Sequence, residues 1–206
     1  MKKLLVLFII IFSFKAFCHP VIYKGGLAVS SSNMPDYSNN YILYSPSQKF
    51  ALGAEHWRMT KNEKNNEMGL MKTNYLLWRH NGEDSQANIY LHAGLGVEDQ
   101  EFSRKVTRGT YLVGAEGDCE TRTLYASLKH YQFPQTYLHQ ARIGFSPKET
   151  PFDQLQSWFM IQGMYIKDVK ERYMITPMVR FFYHNLLWEF GSSTRGEWML
   201  NLMVHY

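Results

Sequence analysis

From residue 23 onward the chain alternates apolar and polar positions with a period of two, in short stretches separated by turn chemistry. Helical spacing of apolar residues is hard to find, so the pattern predicts strands rather than helices. Twelve strands are expected, over 23–30, 37–44, 49–59, 68–79, 85–96, 107–118, 121–131, 136–146, 155–166, 172–183, 186–192 and 197–206. Ser45-Pro46-Ser47-Gln48 carries a proline stop, Asn81-Gly82 is a hairpin dipeptide, and Gly117-Asp118 precedes a tight reversal. Pro147 to Asp153 makes a longer turn with two prolines, and His184-Asn185 a close one. Nothing reads as a linker, a repeat or a shift of composition, so one domain is expected.

A half-buried soluble strand also alternates, and the positions of charges and aromatics decide between water and lipid. The last strand is the cleanest. Trp198, Leu200, Leu202, Val204 and Tyr206 share one face, and Glu197, Met199, Asn201, Met203 and His205 share the other. An alternating apolar row that closes on a terminal aromatic resembles the last strand of bacterial outer-membrane barrels, which their assembly machinery reads as an insertion signal. The resemblance covers about ten residues directly. It implies an all-β protein: a single closed, antiparallel, up-and-down transmembrane barrel of about twelve strands in the outer membrane of a Gram-negative bacterium, with both termini periplasmic.

With Tyr206 at the periplasmic side, the connections at 60–67, 97–108 and 167–172 fall outside the cell. They hold fifteen of the 37 charged residues that follow residue 18: Lys61, Glu63, Lys64 and Glu67; Glu98, Asp99, Glu101, Arg104, Lys105 and Arg108; Lys167, Asp168, Lys170, Glu171 and Arg172. One parity of the strands is apolar, as in Ile89, Leu91, Ala93 and Leu95, or Tyr173, Ile175, Val179, Phe181 and Tyr183. Aromatics cap these rows. Phe50, Phe145, Tyr183 and Tyr206 stand at expected periplasmic ends, and Tyr111, Tyr137, Tyr165, Tyr173 and Trp198 at outer ends. Two aromatic girdles around an apolar band suit the two membrane interfaces, and closure leaves no unpaired edge in hydrocarbon.

The first eighteen residues are expected to be a signal peptide: Met1, Lys2 and Lys3 are basic, Leu4 to Phe14 is an apolar run, and Ala16-Phe17-Cys18 offers a cleavage site. Residues 19–206 then form the barrel, with a net charge near +1 once Lys2, Lys3 and Lys15 leave the total of +4. A nucleic-acid partner is not expected at that charge. Cys119 remains without a disulfide partner, and Lys15 and Phe17 are poor neighbours for a lipidated Cys18. The 32 aromatics, 28 of them after residue 18, have a cause in the girdles.

The inward parity collects Lys72, Asn74, Gln86, Asn88, His92, Glu116, Lys129, Gln140, Arg142, Gln162, Arg180, Glu189, Glu197, Asn201 and His205. Both signs occur. One reading is a wet pore whose Lys72, His92, Glu116, Lys129, Arg142, Arg180, Glu189 and Glu197 tune a small polar solute. The other is an interior closed by ion pairs and by Tyr90, Tyr125, Trp158 and Phe182. Met160 and Met164, Met174 and Met178, and Met199 and Met203, with His205, form a stripe of soft ligands suited to copper(I), or simply fill gaps. His19 is a second copper candidate if it becomes the first residue. A lipid A or phospholipid hydrolase is the enzymatic alternative: Arg180 to Asn185 with Glu189 faintly resembles such a site but lacks a nearby serine. The chain has no paired-cysteine site, HExxH helix or phosphate-binding loop, so no cofactor and no catalysis are expected. Outer-membrane lipids, the assembly machinery and a small polar solute or metal ion are the expected partners.

Overall fold

The computed structural model describes residues 23–61, 64–100, 106–150, 154–167 and 173–206. The strands are β1 (Leu27–Met34), β2 (Tyr37–Ser47), β3 (Phe50–Lys61), β4 (Lys64–Asn81), β5 (Ser85–Gln100), β6 (Val106–Thr121), β7 (Leu124–Gln132), β8 (Tyr137–Phe145), β9 (Gln156–Ile166), β10 (Tyr173–Tyr183), β11 (Leu186–Ser192) and β12 (Trp198–His205). Each pairs antiparallel with its neighbours in sequence, and β1 pairs with β12 to close the barrel.

The register fixes the geometry. An outward row runs from Leu124 through Phe145, Phe159, Val179, Phe190, Leu200, Asn33, Ser38, Arg58, Glu67 and Asp99 to Thr107. The β6–β7 ladder extended to its turn sets Leu124 opposite Thr121, so one circuit returns to β6 fourteen residues away. Twelve strands with that shear tilt by about 39° and enclose a backbone radius of about 12 Å, from a rise of ~3.3 Å and a spacing of ~4.8 Å. Long side chains from opposite walls reach one another across such a bore.

Alternation places apolar side chains outside. Leu95, Leu128, Ile143, Ile161, Ile175 and Leu200 are all exposed on the outer wall. Tyr137, Tyr165 and Tyr173 lie ring against tilted ring near the end away from the termini, and Phe145 packs on Phe159 near the end that holds them.

Several expected boundaries move. The first strand begins at Leu27, because Gly25, at φ 85°, reverses the chain there and the Gly26 N–H donates to Tyr23 O. It then runs through Ser30, Ser31, Ser32 and Asn33, a stretch too polar on both faces to read as a strand. The connections expected at 60–67 and 97–108 are largely strand, since β3 to β6 extend beyond the aromatic belt. Their charges pair across the ladder instead of lying in loops: Arg108 Nε donates to Glu98 at 3.1 Å and Asn66 to the same carboxylate at 2.7 Å. Residues 1–22, with Cys18 and His19, lie outside the described residues, as do Glu63, Glu101, Arg104, Lys105, Asp168, Lys170, Glu171 and Arg172.

Candidate functional site

The lumen divides along its axis. Toward the end away from the termini, Trp57 from β3 is 1 % exposed and sits at the centre of an apolar plug. Tyr37, Tyr131 and Phe133 meet its indole edge-on, with ring centroids 5.5, 5.6 and 5.2 Å away. Methionines fill the remaining volume. Met160 faces Met178 and Met164 faces Met174 across the β9–β10 ladder, and Met34, Met59, Met68 and Met199 join from other walls. Gly144 makes room for one of them, because a Cβ there would run into Met160 Sδ.

Below the plug lies a belt of ion pairs. Lys72 Nζ donates to Glu55 at 2.6 Å and to Tyr131 OH at 3.2 Å, and Asn39 donates to the same carboxylate at 2.9 Å. Glu116 stands 3.0 Å from Lys129 and 3.5 Å from His92, whose Nδ1 meets Asn74 Oδ1 at 2.7 Å. Glu189 takes Arg180 at 2.6 Å, Arg142 at 3.3 Å and Asn201 at 2.6 Å. The Arg180 guanidinium also lies over the Tyr125 ring at 4.4 Å. Arg79 donates to Asn88 at 2.6 Å, and Asn88 to Asp118 at 2.7 Å. Two or more walls meet in every one of these groups, which offsets the cost of burying each charge.

A cavity of about 140 Å³ runs through the belt, lined by Lys129, Glu116, Arg142, Arg180, Glu189 and, at its top, Trp57. Glu120, Gln156 and Trp158 also line a wider recess of about 700 Å³ at the end that holds the termini, beside Arg122 and Glu149. The recess and the cavity thus share three lining residues, and the cavity reaches inward to the Trp57 plug.

The positions read from sequence fall as follows. Lys72, His92, Glu116, Lys129, Arg142, Arg180 and Glu189 are in the belt. Glu197 is not: it lies in the turn before β12, where its N–H donates to Ser193 Oγ and Gly196 takes φ 87°. Met160, Met164, Met174, Met178 and Met199 pack in the plug, whereas Met203 lines the cavity and His205 is buried at the opposite end, immediately before Tyr206. The six methionines and His205 therefore do not form one ligand set. Nor do the elements of the hydrolase alternative converge. His184 occupies the β10–β11 turn at φ 53°, Asn185 donates to His205 O, and Glu189 is held inside by two arginines. Trp198, Leu200, Leu202 and Tyr206 are exposed on the outer wall, with Val204 half-buried between them.

Sequence reading missed Glu55, Trp57, Asn39, Arg79, Asp118 and Tyr131. On β3 the inward positions Ala51, Gly53, Glu55, Trp57 and Met59 are no more polar than the outward Phe50, Leu52, Ala54, His56 and Arg58. Parity there is ambiguous without the neighbouring strands.

No protein-family model matches the chain, and neither does any curated protein. Among solved structures it is similar to the KdgM porin, at 16 % identity and a TM-score of 0.48 over 88 % of this chain and 98 % of that one. A second structure of that porin, in complex with disordered oligogalacturonate, gives the same values. A loop-deletion mutant of OmpT, an outer membrane protein of Vibrio cholerae, aligns at 8 % identity and a TM-score of 0.30 over 88 % of this chain and 97 % of that one. These are likenesses of architecture alone.

Proposed function

We propose that the protein is a small porin-like barrel of the outer membrane, passive and non-enzymatic, whose lumen is obstructed at Trp57. The carrying observation is the cavity inside a closed barrel, lined by charges of both signs, bounded by one buried tryptophan and sharing Glu120, Gln156 and Trp158 with the recess at the mouth. Residues 1–18 direct export, both termini face the periplasm, and the greasy outer wall contacts lipid after the assembly machinery reads the last strand. Lys129, Arg142 and Arg180 against Glu116 and Glu189 screen a small polar or ionic solute.

Planar-bilayer conductance tests this reading. Wild-type protein is expected to pass rare, small current steps, and the Trp57→Ala variant larger and more frequent ones. No current above the lipid background from either protein at any voltage removes the channel and leaves only a structural barrel.

A further inference from the structure

Two histidines stand opposite each other on the outer wall. His130 on β7 and His139 on β8 are cross-strand partners, and their Nδ1 atoms are 3.1 Å apart. Both point away from the lumen, on the faces that carry Leu128 and Ile143; His139 is exposed and His130 half-buried. Each lies two residues below the Gln132–Tyr137 pair that ends this ladder on the outer side. Along the barrel axis that is about 5 Å, at a rise of ~3.3 Å per residue and a tilt of about 39°. The pair therefore sits just inside the outer aromatic belt, where Tyr137 meets the His139 ring edge-on at 5.1 Å and Tyr165 lies beyond it at 6.3 Å.

From β7 to β12 no other outward residue within a strand carries an imidazole, a thiol or a carboxylate. The spacing of these two matters more than their presence. With metal–imidazole bonds of ~2.0–2.1 Å, nitrogens 3.1 Å apart subtend about 95–100° at a shared ion. That lies between the right angle of square-planar or octahedral coordination and the tetrahedral angle. Neutral imidazole protonates one ring nitrogen and leaves the other free. Without an ion, one Nδ1 keeps its hydrogen and donates to the other. With both hydrogens on Nε2, two lone pairs face each other, and a cation between them relieves the repulsion. The rings are 26° from parallel, with centroids 4.6 Å apart. Bringing both lone pairs onto one point takes a turn of His139 about χ2, a broad torsion that its exposure leaves free.

We propose that His130 and His139 form a two-imidazole chelate for a divalent transition metal, with copper(II) held most tightly because it heads the affinity order for nitrogen ligands. Among the described residues no three His, Cys, Asp or Glu side chains gather, so the remaining coordination positions go to water or other small oxygen ligands. The site lies on the opposite side of the wall from the lumen methionines and does not depend on the channel reading. It clips β7 to β8 from outside.

Copper(II) titration of the folded barrel in detergent, followed by electron paramagnetic resonance, tests this. The wild-type protein is expected to bind one equivalent with hyperfine splitting from two nitrogens. His130→Ala and His139→Phe, the second keeping a ring without its nitrogens, should each weaken that equivalent roughly tenfold or more, since the second ligand then no longer adds to the first. Both variants should keep the heat-dependent gel shift of a folded barrel. His80→Ala/His184→Ala, at the other end of the wall, should bind as the wild type does. Copper should also raise the urea midpoint of the wild-type barrel and not that of His139→Phe, because an ion that binds only the folded wall stabilises it. No two-nitrogen signal in the wild type, equal binding in His139→Phe, or loss of the equivalent in the His80/His184 variant overturns the proposal.

Discussion

The two halves of the lumen are built from the same inward parity of the same strands, yet they hold together by opposite means. Around Trp57 the contacts are rings and thioethers, non-directional and tolerant of small displacements. Around Glu189 they are short, directional and mutually dependent, with two guanidiniums and one carboxamide converging on a single carboxylate. The plug therefore obstructs without fixing geometry, and the belt fixes geometry while leaving a cavity. Opening the first and preserving the second is the easiest way for this interior to conduct.

The sharpest break of that contrast is Glu189→Leu. It strands Arg142 and Arg180 in the interior, and losing one partner of a buried charge group costs ~3–5 kcal/mol. The expected outcome is a large fall in the urea midpoint of the barrel refolded in lipid, or failure to refold. Replacing all three residues with apolar ones, in Glu189→Leu/Arg142→Met/Arg180→Met, is expected to recover most of the loss. A triple variant no better than the single one would show that the charges do more than satisfy each other.

Next in size is Gly144→Ala, which probes the plug by overfilling it. The new methyl group meets Met160 Sδ and lies 3.1 Å from Phe159 O, so Met160 must move. Overpacking of this kind costs ~1–3 kcal/mol. Adding Met160→Ala makes room, and the pair should cost less than the sum of its members, a coupling that denaturation of the four proteins measures directly.

Smaller still is Met164→Leu/Met174→Leu. If these thioethers are volume, the swap costs below ~1.5 kcal/mol and leaves copper tolerance of the expressing strain unchanged. Copper sensitivity in that variant, with stability retained, would restore a metal role to the stripe.

Legibility in the sequence follows the same division. From β7 to β12 no lysine, arginine or carboxylate faces outward while the inner face holds several, and the expected ends fall within a few residues of those observed. Local contrast was enough there. It failed at β1, where Ser30 to Asn33 are polar on both faces, and at the tops of β3 to β6, where charges that pair across strands look like loop residues. The inward charges could be named one by one, but their partners could not. Glu55 meets Lys72 and Glu189 meets Arg142 only through register and closure, which no single strand encodes. Trp57 escaped notice for a related reason: a tryptophan in such a chain suggests a girdle, and only the ambiguous parity of β3 turns it inward.

The smallest expected effect compares two glutamates that the sequence treated alike. Glu197 and Glu189 read from sequence as inward positions of adjacent strands, but only Glu189 meets arginine, and Glu197 precedes β12. Glu197 sits at a turn whose shape is set by its backbone N–H on Ser193 Oγ and by Gly196, neither of which needs its carboxylate. Glu197→Gln should therefore shift stability by less than ~0.5 kcal/mol. It should also leave ion selectivity, read as reversal potential across a salt gradient, where the wild-type protein has it. A clear shift in reversal potential would mean that the rim at this turn belongs to the conducting path, and that the belt is not the only place where charge is screened.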